Sequence, residues 1–269
     1  MSEQHDESLG GIILHHVTND LNYKFLELHL FGYDISITKH VIMLWIAAAV
    51  TVGFAIWATR RYRNNIDAQP KGLSHIFEIL MNFIREDIVN PNIGVSYGKM
   101  WTPLITTYFI FILICNFLGM IPFFDLIPGG SSTVTGNFNA TAGLASITFF
   151  AIVIAGTMKH GFLGYWKNMI PGNVPAPVLL ILIPIEILGM FVRPFALTMR
   201  LGANMTAGHI GMLAIFALPI ILSAAPVGIA SILLNTGIYF LEMIVSFVQA
   251  YVFTLLSAVF IGMAIHAEH

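Results

Sequence analysis

The chain has 269 residues, 57% hydrophobic and only 10% charged, with a formal net charge of −2 and a mean hydropathy of +0.81. Soluble domains carry about 25% charged residues, so the composition excludes an ordinary soluble protein and predicts a polytopic membrane protein. The near-neutral balance gives no reason to expect nucleic acid, and the single cysteine, Cys115, lies in an apolar run and excludes an intramolecular disulfide.

The N-terminus, MSEQHDESLGG, is acidic and has no positively charged n-region. It reads neither as a cleavable secretory signal nor as an organelle transit peptide, so the mature protein is expected to start here. Residues 1–40 form an N-terminal outside segment, and residues 41–269 a single membrane domain. Residues 41–59 form a 19-residue apolar span, enough for about 30 Å of hydrocarbon. Trp45 and Trp57 stand near its ends. Arg60, Arg61, Arg63 and Lys71 follow at once, which marks that side as cytoplasmic.

Residues 73–89 differ in kind. Leu73, Ile76, Phe77, Leu80, Ile84 and Ile88 make one stripe, while His75, Glu78, Asn82, Arg85 and Glu86 face away. The pattern predicts an amphipathic helix lying on the cytoplasmic membrane surface, with a protein-contact surface as the alternative. Spans follow at about 100–121, going outward, and 140–158, returning. The loop between them has no Lys or Arg, as an outside loop should. The loop 159–177 carries Lys159 and Lys167, which suits the cytoplasm. The remaining apolar sequence is too long for two ordinary spans of about 20 residues. Its best turn signal is Pro219–Pro226, so it reads as a hairpin of two long, tilted helices at 178–218 and 227–266. The fold class is thus an all-α membrane protein of five membrane helices and one surface helix, N-terminus outside and C-terminus cytoplasmic. No internal repeat supports an inverted-repeat transporter.

From Pro177 to the C-terminus the only Lys or Arg residues are Arg193 and Arg200. A guanidinium stays charged wherever it is placed, and holding one at bilayer depth costs at least about 2.5–3.5 kcal/mol. Such a residue is functional by default, and Arg200 reads as the working charge of an ion path. The bland alternative is a buried structural ion pair. Stepping about 100° per residue puts Arg193, Glu186 and Asn204 within roughly 40° of Arg200. Arg193, nearer the cytoplasmic end, reads as a side chain snorkelling to the interface. Ala196, Ala203, Ala207 and Gly211 lie on or beside the Arg200 face, where small side chains admit a neighbouring helix. Pro184 and Pro194 are candidate kinks.

The second hairpin helix carries Asn235, Glu242 and Gln249 at spacings of seven, with Ser246 beside them. An intramembrane carboxylate flanked by amides suits a hydrated ion pathway; hydrogen bonding to neighbouring helices is the bland reading, most apt for Asn235. Measured from a turn near residue 222, His209 lies 13 residues before it, Asn204 18, Arg200 22 and Glu186 36, while Glu242 lies 20 after it and Gln249 27. At about 1.5 Å per residue, Glu186 is roughly 21 Å further toward the cytoplasm than Arg200. Titratable groups thus stand on either side of one permanent cation, as in two half-channels.

The segment Glu186-(x)6-Arg193-Pro194-(x)5-Arg200-Leu201-(x)2-Asn204-Met205-(x)2-Gly208-His209 resembles the signature of subunit a of the F-type ATP synthase. Asn116-(x)2-Gly119-(x)2-Pro122 and Thr135-Gly136-Asn137-(x)3-Thr141 resemble its outer-loop region. The resemblance covers most of the chain from about residue 70. It implies a stator beside a rotating ring of c subunits, held by a b-subunit peripheral stalk, with no cofactor or metal of its own; without a transit peptide and with an extended N-terminal outside segment, the chain fits a bacterial inner membrane better than an organelle. By resemblance Arg200 matches the arginine facing the ring carboxylates, Asn204 and Gln249 the polar residues beside it, and Glu186 the acidic residue of the exit path. His209 and Glu242 occupy positions where many bacterial members have glutamate and histidine respectively; here the two are exchanged.

Three rival readings are open to the sequence. A secondary transporter would use Arg200 in an anionic-substrate site. An intramembrane enzyme has no HExxH or GxSxG motif to support it. A purely structural scaffold leaves the Glu242 stripe unexplained.

Overall fold

A computed structural model describes residues 26–27, 29–30, 33–34, 36–64, 69, 72–121, 124, 133–168, 176–222 and 225–266. Most of the expected outside segment 1–40, Lys71 of the basic cluster, and much of the loops at 122–132 and 169–175 lie outside the described residues. What is described ahead of the first helix is a short antiparallel pair, β1 (His29–Leu30) with β2 (Tyr33–Asp34), and a Leu26–Ile37 bridge.

Among the described residues eight α-helices follow: α1 (Lys39–Asn64), α2 (Leu73–Phe83), α3 (Asn90–Ile93), α4 (Val95–Gly119), α5 (Phe138–His160), α6 (Phe162–Asn168), α7 (Ala176–Leu222) and α8 (Ala225–Ile265). Of these, α1, α4, α5, α7 and α8 are long and apolar enough to cross a membrane. A helix satisfies its own backbone groups, which hydrocarbon cannot do, so apolar length and helicity go together here. The 47 residues of α7 span about 70 Å at 1.5 Å each, over twice the hydrocarbon thickness of about 30 Å. Pro184 and Pro194 lie inside α7 without ending it.

The chain divides into two compact units, one of residues 1–50, 112–138 and 201–249, the other of residues 51–111, 139–200 and 250–269. In the second unit the amphipathic segment behaves in two ways. Ile76 and Ile79 are exposed, as a membrane-surface helix requires. Beyond Phe83 the chain loosens into a π-helical stretch, Ile84–Val89, and Ile84, Ile88, Val89 and Ile93 are fully buried in their own chain. For that half the protein-contact alternative applies. Gly94 then turns the chain at φ 88°, left-handed space open to a residue without Cβ, and α4 begins five residues before the expected start at 100.

The end of α8 closes this unit. Gly262 approaches the Asn92 backbone so closely that a Cβ would overlap its carbonyl oxygen. The His266 ring Nε2 lies 3.0 Å from the Ile93 carbonyl, and His160 Nε2 3.2 Å from that of Ile265, giving carbonyls at helix ends a partner. Thr148 of α5 meets Tyr108 of α4 at 3.2 Å and Ser257 of α8 at 3.3 Å, a polar seam between apolar helices. The expected loop 159–177 holds a short helix instead, α6. Gly156 leaves space there that the buried Tyr165 ring fills.

Candidate functional site

In the first unit, α8 carries Glu242 into the protein, where it is 8% exposed. Its carboxyl group rests against Gly208 of α7, and a Cβ at that glycine would overlap both carboxyl oxygens. Small residues permit such close approach between membrane helices. The next residue, His209, has its Nε2 2.6 Å from Thr133 Oγ1. Glu242 and His209 therefore flank one turn of α7.

Thr133 precedes a 3-10 turn, Val134–Gly136. Two further bonds pin that turn, and a third ties its partner Asn116 to α8. Thr135 Oγ1 donates to Asn116 Oδ1 at 2.6 Å, Asn116 Nδ2 donates to the Ser246 carbonyl at 3.1 Å, and Thr206 Oγ1 donates to the Gly136 carbonyl at 3.2 Å. Asn116 and Thr135 are fully or almost fully buried, and burying them is tolerable because each polar group finds a partner. Further along α8, Tyr239 donates to the Met120 carbonyl at 3.1 Å and Asn235 Nδ2 to the Met212 carbonyl at 3.1 Å. The Asn235 side chain thus does hydrogen-bond a neighbouring helix, while its Oδ1 is buried without a partner among the described residues.

In the second unit, Arg193 stands 3.7 Å from Glu186, seven residues earlier on α7, and 5.7 Å from the Phe260 ring centroid. Helical spacing had put the two on one face; their pairing was not expected. Arg200 is exposed on α7 and forms no hydrogen bond or ion pair with any described residue. Asn204 is exposed and Gln249 buried. Each of the six residues singled out by sequence is thus placed on α7 or α8. The structure brings Glu242 against the turn bearing His209, and Glu186 to Arg193. Sequence reasoning missed Thr133, and missed what Gly119 and Gly208 do; the two glycines stood in the motifs, but nothing in the string said which side chains they admit.

The family model for the ATP synthase A chain matches residues 41–262. The chain belongs to that family. It is 43% identical over 269 residues to ATP synthase subunit a 2 of Chlorobaculum tepidum, covering 96% of this chain and 74% of the relative. It is 41% identical over 275 residues to ATP synthase subunit a of Chlorobium phaeobacteroides, covering 98% and 78%. With that of Anaeromyxobacter dehalogenans it shares 38% over 282 residues, covering 96% and 71%. The family is that of a membrane-sector subunit of the F-type ATP synthase. Bacterial relatives and five apolar helices make the chain a bacterial membrane protein.

Proposed function

We propose that this chain is the proton-translocating stator subunit of an F-type ATP synthase, running against a ring of c subunits and held by a b-subunit stalk. Residues 41–269 act as one membrane domain in the bacterial inner membrane, with residues 1–40 outside and the C-terminus cytoplasmic. The observation that carries the reading is Arg200: a permanent cation on an apolar helix, exposed, with no carboxylate partner among the described residues. A charge so costly in hydrocarbon calls for a partner from another subunit, and a ring carboxylate is one.

A proton enters from outside along His209 and Glu242 and neutralises a ring carboxylate, which can then turn into lipid. After nearly a full rotation the site reaches the exit path by Glu186. Arg200, within about 4–6 Å of that carboxylate, would favour its ionised form, and the proton leaves toward the cytoplasm. Asn204 and Gln249 line the approach to Arg200. The charge of Arg200 also bars direct leakage between inlet and outlet. The driving energy is about 2.3 kcal/mol per charge per 100 mV. The chain performs no bond chemistry itself; ATP is made by the soluble sector. Copurification tests the assembly. A tagged chain expressed in its bacterium brings down an oligomeric ring and a soluble ATPase, and its isolation without either would refute the reading.

A further inference from the structure

We propose that Thr133 is a positioning residue for proton passage at His209. The inference rests on the reading of His209 as an inlet group and adds a residue from outside the two long helices. Thr133 Oγ1 lies 2.6 Å from His209 Nε2, within ordinary hydrogen-bond range. A threonine hydroxyl both donates and accepts, whereas an imidazole nitrogen is an acceptor when bare and a donor when protonated. Thr133 can therefore stay bonded to Nε2 in either state, accepting from Nε2–H or donating to bare Nε2. The ring keeps its orientation while its charge changes, and neither state leaves Nε2 unpaired.

The placement of Thr133 is built rather than incidental. Gly119 of α4 lies beneath it, and a Cβ there would come within 2.7 Å of both Thr133 Cα and Cβ. The turn that follows is held to α4 through Thr135 and Asn116, and to α7 through Thr206 and the Gly136 carbonyl. Thr206 and His209 are three residues apart on α7, so they share a helix face. Two bonds thus fix residues 133–136 against that face, one ending on the inlet histidine.

The test is made in the assembled complex in inverted membrane vesicles, with ATP synthesis expressed per assembled complex. Thr133→Val, which keeps the shape and deletes the hydroxyl, lowers the rate about tenfold, the effect of losing one hydrogen bond to a charged group. Thr133→Ser keeps the hydroxyl and restores at least about half the normal rate, since the bond itself survives. Nitrogen NMR of a labelled His209 ring shows a hydrogen-bonded Nε2 in the parent and Ser chains and loses that signature in Thr133→Val. Where Thr133→Val fails to assemble, Thr133→Ala is read in the same way. A normal rate in the hydroxyl-free variants beside a slow His209→Ala overturns the positioning role alone, as does a Ser variant as slow as Val. A normal rate in His209→Ala overturns the inlet reading itself.

Discussion

The Glu242 carboxyl group lies against Gly208, where even a methyl side chain would overlap both of its oxygens. A titratable residue on one long helix is thus seated by a missing side chain on the other, beside a second titratable residue. Gly208→Ala is expected to push the carboxyl group out of place at little cost in stability, because the end of the Glu242 side chain can swing aside. Proton-driven ATP synthesis in assembled complexes then falls well below normal, and Glu242→Asp in the same chain, being shorter, recovers part of it. Normal synthesis in Gly208→Ala alone would contradict the seating.

Asn116 joins Thr135 to the Ser246 carbonyl in a buried setting. Asn116→Leu removes both bonds and is expected to destabilise the chain by about 2 kcal/mol, at about 1 kcal/mol per bond. Thr135→Val removes one of the same bonds, so the double variant falls short of the sum of the singles. Denaturant titration in detergent reads both effects. Strict additivity would mean that the two side chains are not coupled.

The legible parts of the chain were those governed by apolar length and charge. The five spans, the hairpin break near residue 222 and the basic residues after α1 follow from hydrocarbon thickness and the cost of charge. The common face of Glu186 and Arg193 follows from helical period. What periodicity does not carry is contact between segments far apart in sequence. Thr133 sits in a run of Gly, Ser and Thr that reads only as a loop, and its bond to His209 crosses 76 positions. The early start of α4 depends on Gly94 adopting positive φ, and the short helix α6 on a tyrosine ring filling space beside Gly156. The stripe of residues 73–89 has one period throughout, so it did not reveal that its second half is buried by protein.

Gly262 and Gly143 offer a matched pair. An alanine at Gly262 meets the Asn92 carbonyl, which is backbone and cannot swing aside, whereas at Gly143 it meets open space. Gly262→Ala is expected to cost about 1–3 kcal/mol, and Gly143→Ala to leave stability unchanged or raised by up to about 1 kcal/mol through helix propensity. Thermal unfolding of the purified variants in detergent separates them; equal shifts would contradict the close approach at Asn92.

The Glu186–Arg193 pair is long, at 3.7 Å, and the Glu186 side chain is 42% exposed. Breaking it with Glu186→Gln is expected to change stability by less than about 1 kcal/mol, as for other exposed pairs. ATP-driven proton pumping should nevertheless drop several-fold, because the exit path loses its carboxylate. A large stability loss with pumping intact would reverse the assignment, making Glu186 structural.

Arg200→Ala is the decisive variant, made in complexes shown to be fully assembled. Proton-driven ATP synthesis and ATP-driven pumping are measured in the same vesicles, together with passive proton conductance. Both coupled activities are expected to vanish while passive conductance persists or rises, since nothing then separates inlet from outlet. Coupled synthesis at the normal rate in that variant would contradict this.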